Sequence, residues 1–211
     1  ADYQSIKNAR ENCNSSLRNE FSLKEALNTR ALWILSIGTA VLYLFHSGIN
    51  SHQASFLQER GISLGLSSVV ISINAISTGL GSVCWGYVCD KFSIRFAFSS
   101  VFICTLFALL GLIYTHDMNM AILSSILFGA AMGGMLTVPS VAYATFYGTN
   151  SIGRIRGFTN PLSTIGSASG VMVSGVIFDI YNSYVLAFWF FFAVSIVIFI
   201  ISLFLRNPNN N

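Results

Sequence analysis

The chain has 211 residues, of which 54% are hydrophobic and only 9% charged, and its mean hydropathy is +0.66. A water-soluble domain of this size must clothe its outside in polar groups, so this composition excludes one and implies an integral membrane protein in contact with the lipid bilayer. The net charge of +3 comes from basic residues spread over short connections, which excludes a nucleic-acid-binding patch.

Taken in chain order, residues 1–20 are polar and rich in Asn and Ser, as expected of a cytoplasmic linker, and they lack the apolar core of a signal peptide. The first residue is Ala1 in place of an initiator methionine, which points to a segment upstream. Ser22 and Glu25 then have the spacing of a capping box, predicting a short amphipathic helix that leads into the membrane. Six stretches follow, each long enough to cross a hydrocarbon core: 31–51, 65–88, 96–114, 120–147, 155–180 and 184–205. They predict an all-α membrane protein, a six-helix transmembrane bundle over residues 21–206, with a polar tail at 207–211. The connections are short, so neighbours in sequence are expected to pack as antiparallel neighbours in space.

The basic residues divide unequally between the two sides of that bundle. Lys7, Arg10, Arg18, Lys24 and Arg30 precede the first span, Lys91 and Arg95 follow the second, Arg154 and Arg156 follow the fourth, and Arg206 follows the last. Only Arg60 falls on the other side, so the positive-inside rule places both termini in the cytoplasm. An acceptor pattern for glycosylation, Asn14-Ser15-Ser16, is idle on that side. Cys13, Cys84, Cys89 and Cys104 form no CxxC pair and read as reduced, buried thiols. No nucleophile–base pair, metal-ligand cluster or phosphate loop is present in the sequence, so neither an enzyme nor a cofactor is expected.

Small residues recur at three- and four-residue steps within the spans. Span two carries Ser72, Ala75, Gly79, Ser82 and Gly86; span five carries Ser163, Ser167, Gly170 and Ser174 with Gly166; span four carries Gly129, Gly133 and Gly134 before Pro139. Such stripes either pack helices closely or line a water-filled cavity, and Pro139 and Pro161 are placed to loosen helices that move. The neutral polar groups His46, Asn50, His52, Asn74 and Asn160 are costly in lipid and are expected to face protein or water. His46 is either a proton carrier or an interhelical hydrogen-bonding group, and His52 is expected nearer the outer surface. Asn74 either bridges helices or contacts substrate.

The stretch Gly86-Tyr87-Val88-Cys89-Asp90-Lys91-Phe92-Ser93-Ile94-Arg95 ends one span and enters the next through a tight charged loop. Gly86, Asp90, Lys91 and Arg95 resemble the loop signature of the major facilitator superfamily, whereas Ser93 and Ile94 stand where the family has glycine and arginine. Phe21 to Trp33, Ile49 to Gly61, Phe146 to Gly157 and Gly175 to Tyr184 are similar to segments of monocarboxylate carriers and oxalate/formate antiporters of that superfamily. The resemblance implies the second six-helix half of a twelve-helix transporter, with an N-terminal half fused or separate, moving a small solute by alternating access. It also implies a cytoplasmic latch at Gly86, Asp90, Lys91 and Arg95. In the monocarboxylate group an acidic residue and an arginine lie near the positions of Thr78 and Ser82, both uncharged here. A proton-coupled organic anion is thus expected from overall resemblance. The pathway candidates are His46, Asn50, His52, Asn74, Thr78, Ser82, Asn160, Ser163 and Ser167, with Gly79, Gly133, Pro139, Pro161, Gly166 and Gly170 as packing or hinge positions. The alternative is a non-transporting six-helix protein that acts as an assembly partner.

Overall fold

A computed structural model describes residues 21–149 and 151–208 of the chain. The linker 1–20, with Cys13 and the Asn14-Ser15-Ser16 acceptor, and the tail residues 209–211 lie outside the described residues. Seven helices occur among the described residues: α1 (Leu23–Leu27), α2 (Arg30–Glu59), α3 (Leu64–Lys91), α4 (Ile94–Ile113), α5 (Met118–Tyr147), α6 (Ile152–Tyr181) and α7 (Val185–Ser202). All but α1 are long and apolar enough to cross a membrane.

The short lead-in helix α1 starts on the expected capping box. The Glu25 N–H donates to Ser22 Oγ at 3.3 Å, and the Ser22 N–H donates to the Glu25 carboxylate at 2.7 Å. These contacts, the Ser22 backbone N–H first, hold the Glu25 carboxyl below its ordinary value. Thr29 then caps α2 by accepting from the Leu32 N–H at 3.4 Å, and its hydroxyl shares a 2.8 Å hydrogen bond with the Tyr147 hydroxyl at the end of α5.

Helix α2 runs to Glu59, past the expected end at Ser51. The stretch from His52 to Glu59 contains neither Gly nor Pro, and the helix stops only where Gly61 takes a positive φ of 80°. At 30 residues it is about 45 Å long, more than a hydrocarbon core of about 30 Å requires, so its polar end projects beyond the apolar layer.

The packing order also differs from the one expected from short connections. The most extensive contacts join α3 to α5 and α2 to α6, helices that run parallel and are not consecutive, while α4 lies against α5 and α7. Small residues explain the choice. A Cβ on Gly81 would lie 2.9 Å from the Ala130 Cα, and one on Gly133 would lie 2.5 Å from the Ser82 backbone nitrogen. On the other pair, Gly166 and Gly170 face the backbone carbonyls of Ala40 and Leu44, and Gly48 faces the Gly170 carbonyl. In lipid such close approach is the main source of helix association.

One expected stripe faces elsewhere. Ser72, Ala75 and Gly79 lie on an exposed face of α3, and nothing stands within 4 Å of a Cβ on Gly79 or Gly86. The packing face of α3 is instead formed by Ser67, Val70, Asn74, Gly81 and Cys89. The reason is the register: both stripes repeat at helical spacing, and the glycines of α5 select the one containing Gly81. Of the described cysteines, Cys89 is buried, Cys104 is half-buried and Cys84 is exposed, so the expectation of buried thiols fails at Cys84.

Two apolar clusters fill the bundle. One, around Leu35, Phe98, Phe102 and Val138, lies toward the side of the chain ends; the other, around Phe45, Phe56, Phe188 and Phe191, lies toward the opposite side. Replacing Gly133 by Leu forces side-chain atoms into the α3 backbone and is expected to cost about 1–3 kcal/mol or more. Gly79→Ala, in open space, leaves stability unchanged or slightly raised. Thermal unfolding of both variants in detergent checks the contrast, and equal midpoints would contradict it.

Candidate functional site

A cavity of about 350 Å³ opens between α2, α5 and α6. Helix α2 contributes Thr39 and Tyr43, α5 contributes Pro139 and Tyr143, and α6 contributes Arg156, Thr159, Asn160, Ser163 and Ser167. On α6 these positions recur every three or four residues, so one face of the helix is polar through most of its first four turns. Arg156 is the only ionised side chain among the lining residues, and it is half-buried.

Local bonds hold the wall in place. Tyr143 and Ser36 hydroxyls share a 3.0 Å hydrogen bond across α5 and α2, and the Ser167 hydroxyl donates to Ser47 at 2.9 Å across α6 and α2. Pro139 has no N–H, which leaves the carbonyl of Met135, another lining residue, without its usual intrahelical donor. Thr39 is only 6% exposed, yet its hydroxyl has no hydrogen-bond partner in the protein. The cavity therefore offers a cation, several hydroxyls and an amide. This set suits a small polar or anionic solute that accepts hydrogen bonds.

Three of the expected pathway residues, Asn160, Ser163 and Ser167, come together here. A second group gathers farther from the chain ends, between α2, α3 and α5. Asn74 donates to Gln53 at 3.1 Å and to Asn50 at 3.4 Å, and Gln53 donates to Ser125 at 3.0 Å. One turn before Asn50, His46 is buried and stacks on Phe128 at 4.9 Å, with its Nδ1 bonded to the Leu42 carbonyl at 2.8 Å. Its Nε2 and the Asn74 Oδ1 are buried without partners.

His52 is half-buried, toward the end of α2 opposite the chain ends. It bridges the Val171 carbonyl of α6 at 3.3 Å and the Tyr184 hydroxyl at the start of α7 at 3.3 Å. Thr78 and Ser82 belong to the α3–α5 contact and do not line the cavity: a Cβ on Gly133 would lie 2.7 Å from the Thr78 carbonyl oxygen and 2.5 Å from the Ser82 nitrogen, while their hydroxyls bond carbonyls within α3 at 2.9 and 3.0 Å. Pro161 stands on an exposed face of α6, and Gly166 and Gly170 serve its close contact with α2.

The charged loop between α3 and α4 is compact. Asp90, Lys91 and Arg95 are exposed, and Lys91 Nζ lies 4.6 Å over the Tyr87 ring. Ser93, where a glycine was the family pattern, caps α4 by accepting from the Phe96 N–H at 3.3 Å. On the opposite side Glu59, at the end of α2, accepts from Ser183 Oγ at 3.1 Å and from the Tyr184 N–H at 3.5 Å. Tyr184 itself makes no side-chain cap bond; the Ser183 hydroxyl accepts from the Val185 N–H at 3.3 Å, and the Glu59 carboxylate from another helix adds to it. Beside it, Arg60 donates to the Ile113 carbonyl of α4 at 3.2 Å.

Sequence reading missed Thr39, Tyr43, Tyr143 and Thr159 and assigned Arg156 to a boundary only. The signal was available in the spacing of Ser36, Thr39 and Tyr43 and of Arg156, Thr159 and Ser163. It also missed Gln53, because the first span was ended too early. Gln53→Leu deprives Asn74 and Ser125 of partners and is expected to lower stability by about 0.6–1.7 kcal/mol, the range of such bonds between membrane helices. An unchanged unfolding midpoint in detergent would show that the network contributes nothing.

A search among curated proteins finds no match to the chain. The family model described as Major Facilitator Superfamily matches residues 23–211, from the first residue of α1 through all six spanning helices. The chain belongs to the major facilitator superfamily, and its six spanning helices are one half of that family's fold.

Proposed function

We propose that the chain is the second half of a secondary carrier that moves a small organic anion, of the monocarboxylate kind, by alternating access coupled to protons. The observation that carries the reading is Arg156 as the one ionised side chain in the wall of a cavity whose other lining residues are neutral, most of them polar. Its guanidinium offers a planar fork suited to a carboxylate, with Asn160 and the hydroxyls of Tyr143 and Ser163 around it. An N-terminal six-helix half, fused upstream or supplied separately, completes the pathway against the exposed faces of α3 and α6. Both termini are then cytoplasmic, a reading supported by the excess of Lys and Arg at the ends of α1, α3 and α7 and at the start of α6. Asp90, Lys91 and Arg95 then form a cytoplasmic latch that engages in one of the two access states. Arg156 weighs against the alternative of a non-transporting assembly partner, because such a partner has no need of a cation in a polar recess.

The test is uptake by proteoliposomes containing the complete native polypeptide, with radiolabelled lactate and an uncharged analogue, under an imposed pH gradient. Uptake of the anion that rises with an inward proton gradient supports the reading. Arg156→Gln removes a charge-assisted bond and is expected to lower kcat/KM for the anion by about 10- to 100-fold. Uptake by this variant equal to the native protein's would refute the assigned role of Arg156. Asp90→Asn is expected to slow turnover at unchanged membrane abundance, because it removes a latch charge and no apolar surface. Undiminished turnover would sink the latch.

A further inference from the structure

A second recess lies away from the cavity, where the beginning of α2 meets the chain that follows α7. It has a volume of about 630 Å³ and brings together Arg30, the first residue of α2, and Arg206, beyond the end of α7. Both arginines are exposed, and neither is paired with any described carboxylate. The nearest acidic residue in sequence, Glu25, is already engaged by Ser22. Two guanidinium groups that line one recess without an anion add their positive potentials there, and a phosphate in the recess would be attracted to both forks.

The remaining wall is mixed, with Asn28, Thr29 and Asn207 beside an apolar strip of Ala31, Ile34, Phe204 and Pro208. Ile34 and Phe204 line the recess, Phe204 is 71% exposed, and each is followed by a further exposed residue one turn deeper in the bundle, Ile37 and Ile201. A free phosphate has no use for such a strip, whereas an acyl chain attached to the phosphate would lie along it. We infer that this recess binds an anionic phospholipid, its phosphate between Arg30 and Arg206 and its acyl chain over Ile34 and Phe204. The position suits that ligand, because both arginines stand where spanning helices leave the apolar layer, at the depth of lipid headgroups. A choline headgroup would bring a like charge to the same two arginines, so zwitterionic lipid is disfavoured.

The experiment is native mass spectrometry of the complete polypeptide released from mixed micelles that contain phosphatidylglycerol and phosphatidylcholine in equal amounts. Retained adducts of phosphatidylglycerol are expected to dominate. The double variant Arg30→Gln, Arg206→Gln is expected to retain roughly 30-fold less, the combined effect of two basic side chains at a headgroup. Arg154→Gln, which removes an exposed charge on the same side, leaves retention unchanged. Equal retention of the two lipids, an equal loss in the Arg154 variant, or displacement of the lipid by inorganic phosphate alone would each overturn the assignment. Should the double variant fail to fold, photoactivatable phosphatidylglycerol on the native protein decides the matter. Labelling within residues 28–37 and 201–208 supports the site, and labelling confined to other segments refutes it.

Discussion

Backbone contact between parallel helices is the constraint from which the rest of this bundle follows, because lipid gives apolar side chains little reason to prefer a neighbouring helix over an acyl chain. Gly81 and Gly133 bring α3 onto α5, and Gly48, Gly166 and Gly170 bring α2 onto α6. With these two pairs closed, α4 seats itself against α5 and α7, and aromatic side chains fill what is left. The cavity is what remains between the α2–α6 pair and α5. It exists because the glycines that pull α6 toward α2 begin at Gly166, while the preceding turns of α6 carry Arg156, Asn160 and Ser163 and stand off from α5.

The same arrangement separates polar groups by how they are satisfied. On the side of the chain ends, hydroxyls and Arg156 line open space, and the Thr39 hydroxyl has no partner in the protein. Farther from the chain ends, Asn50, Gln53, Asn74 and Ser125 bond one another across three helices. Networks of this kind tie helices together, although the Asn74 Oδ1 stays without a partner, whereas unpaired groups around a cavity are available to a solute. The polarity of a residue therefore says less about its role than the helix it finds opposite.

That distinction explains how much could be read from the sequence. Six spans, the capping box at Ser22 and Glu25 and the compact loop after Asp90 were legible, because length, hydropathy and capping act locally. The packing partner of each helix was not. Two stripes of small residues on α3 have the same spacing, and only the glycines of α5, far away in the chain, choose the one containing Gly81. Arg156 was hidden for a related reason: a charge near a span end reads as a boundary marker, and only the neighbouring α2 and α5 turn it into part of a wall. The length of α2 was underestimated because hydropathy falls at Ser51 while helix-forming residues continue to Glu59.

Glu59 has one more effect. By capping the start of α7 from the end of α2, it welds two helices that are distant in sequence at the face opposite the chain ends, and Arg60 extends the weld to α4. Three helix tips are thus fastened through two consecutive residues of a single turn. That face is therefore tied across three helices, whereas in the opposite half Pro139 removes one backbone hydrogen bond from α5 beside the cavity, where a helix bends most easily.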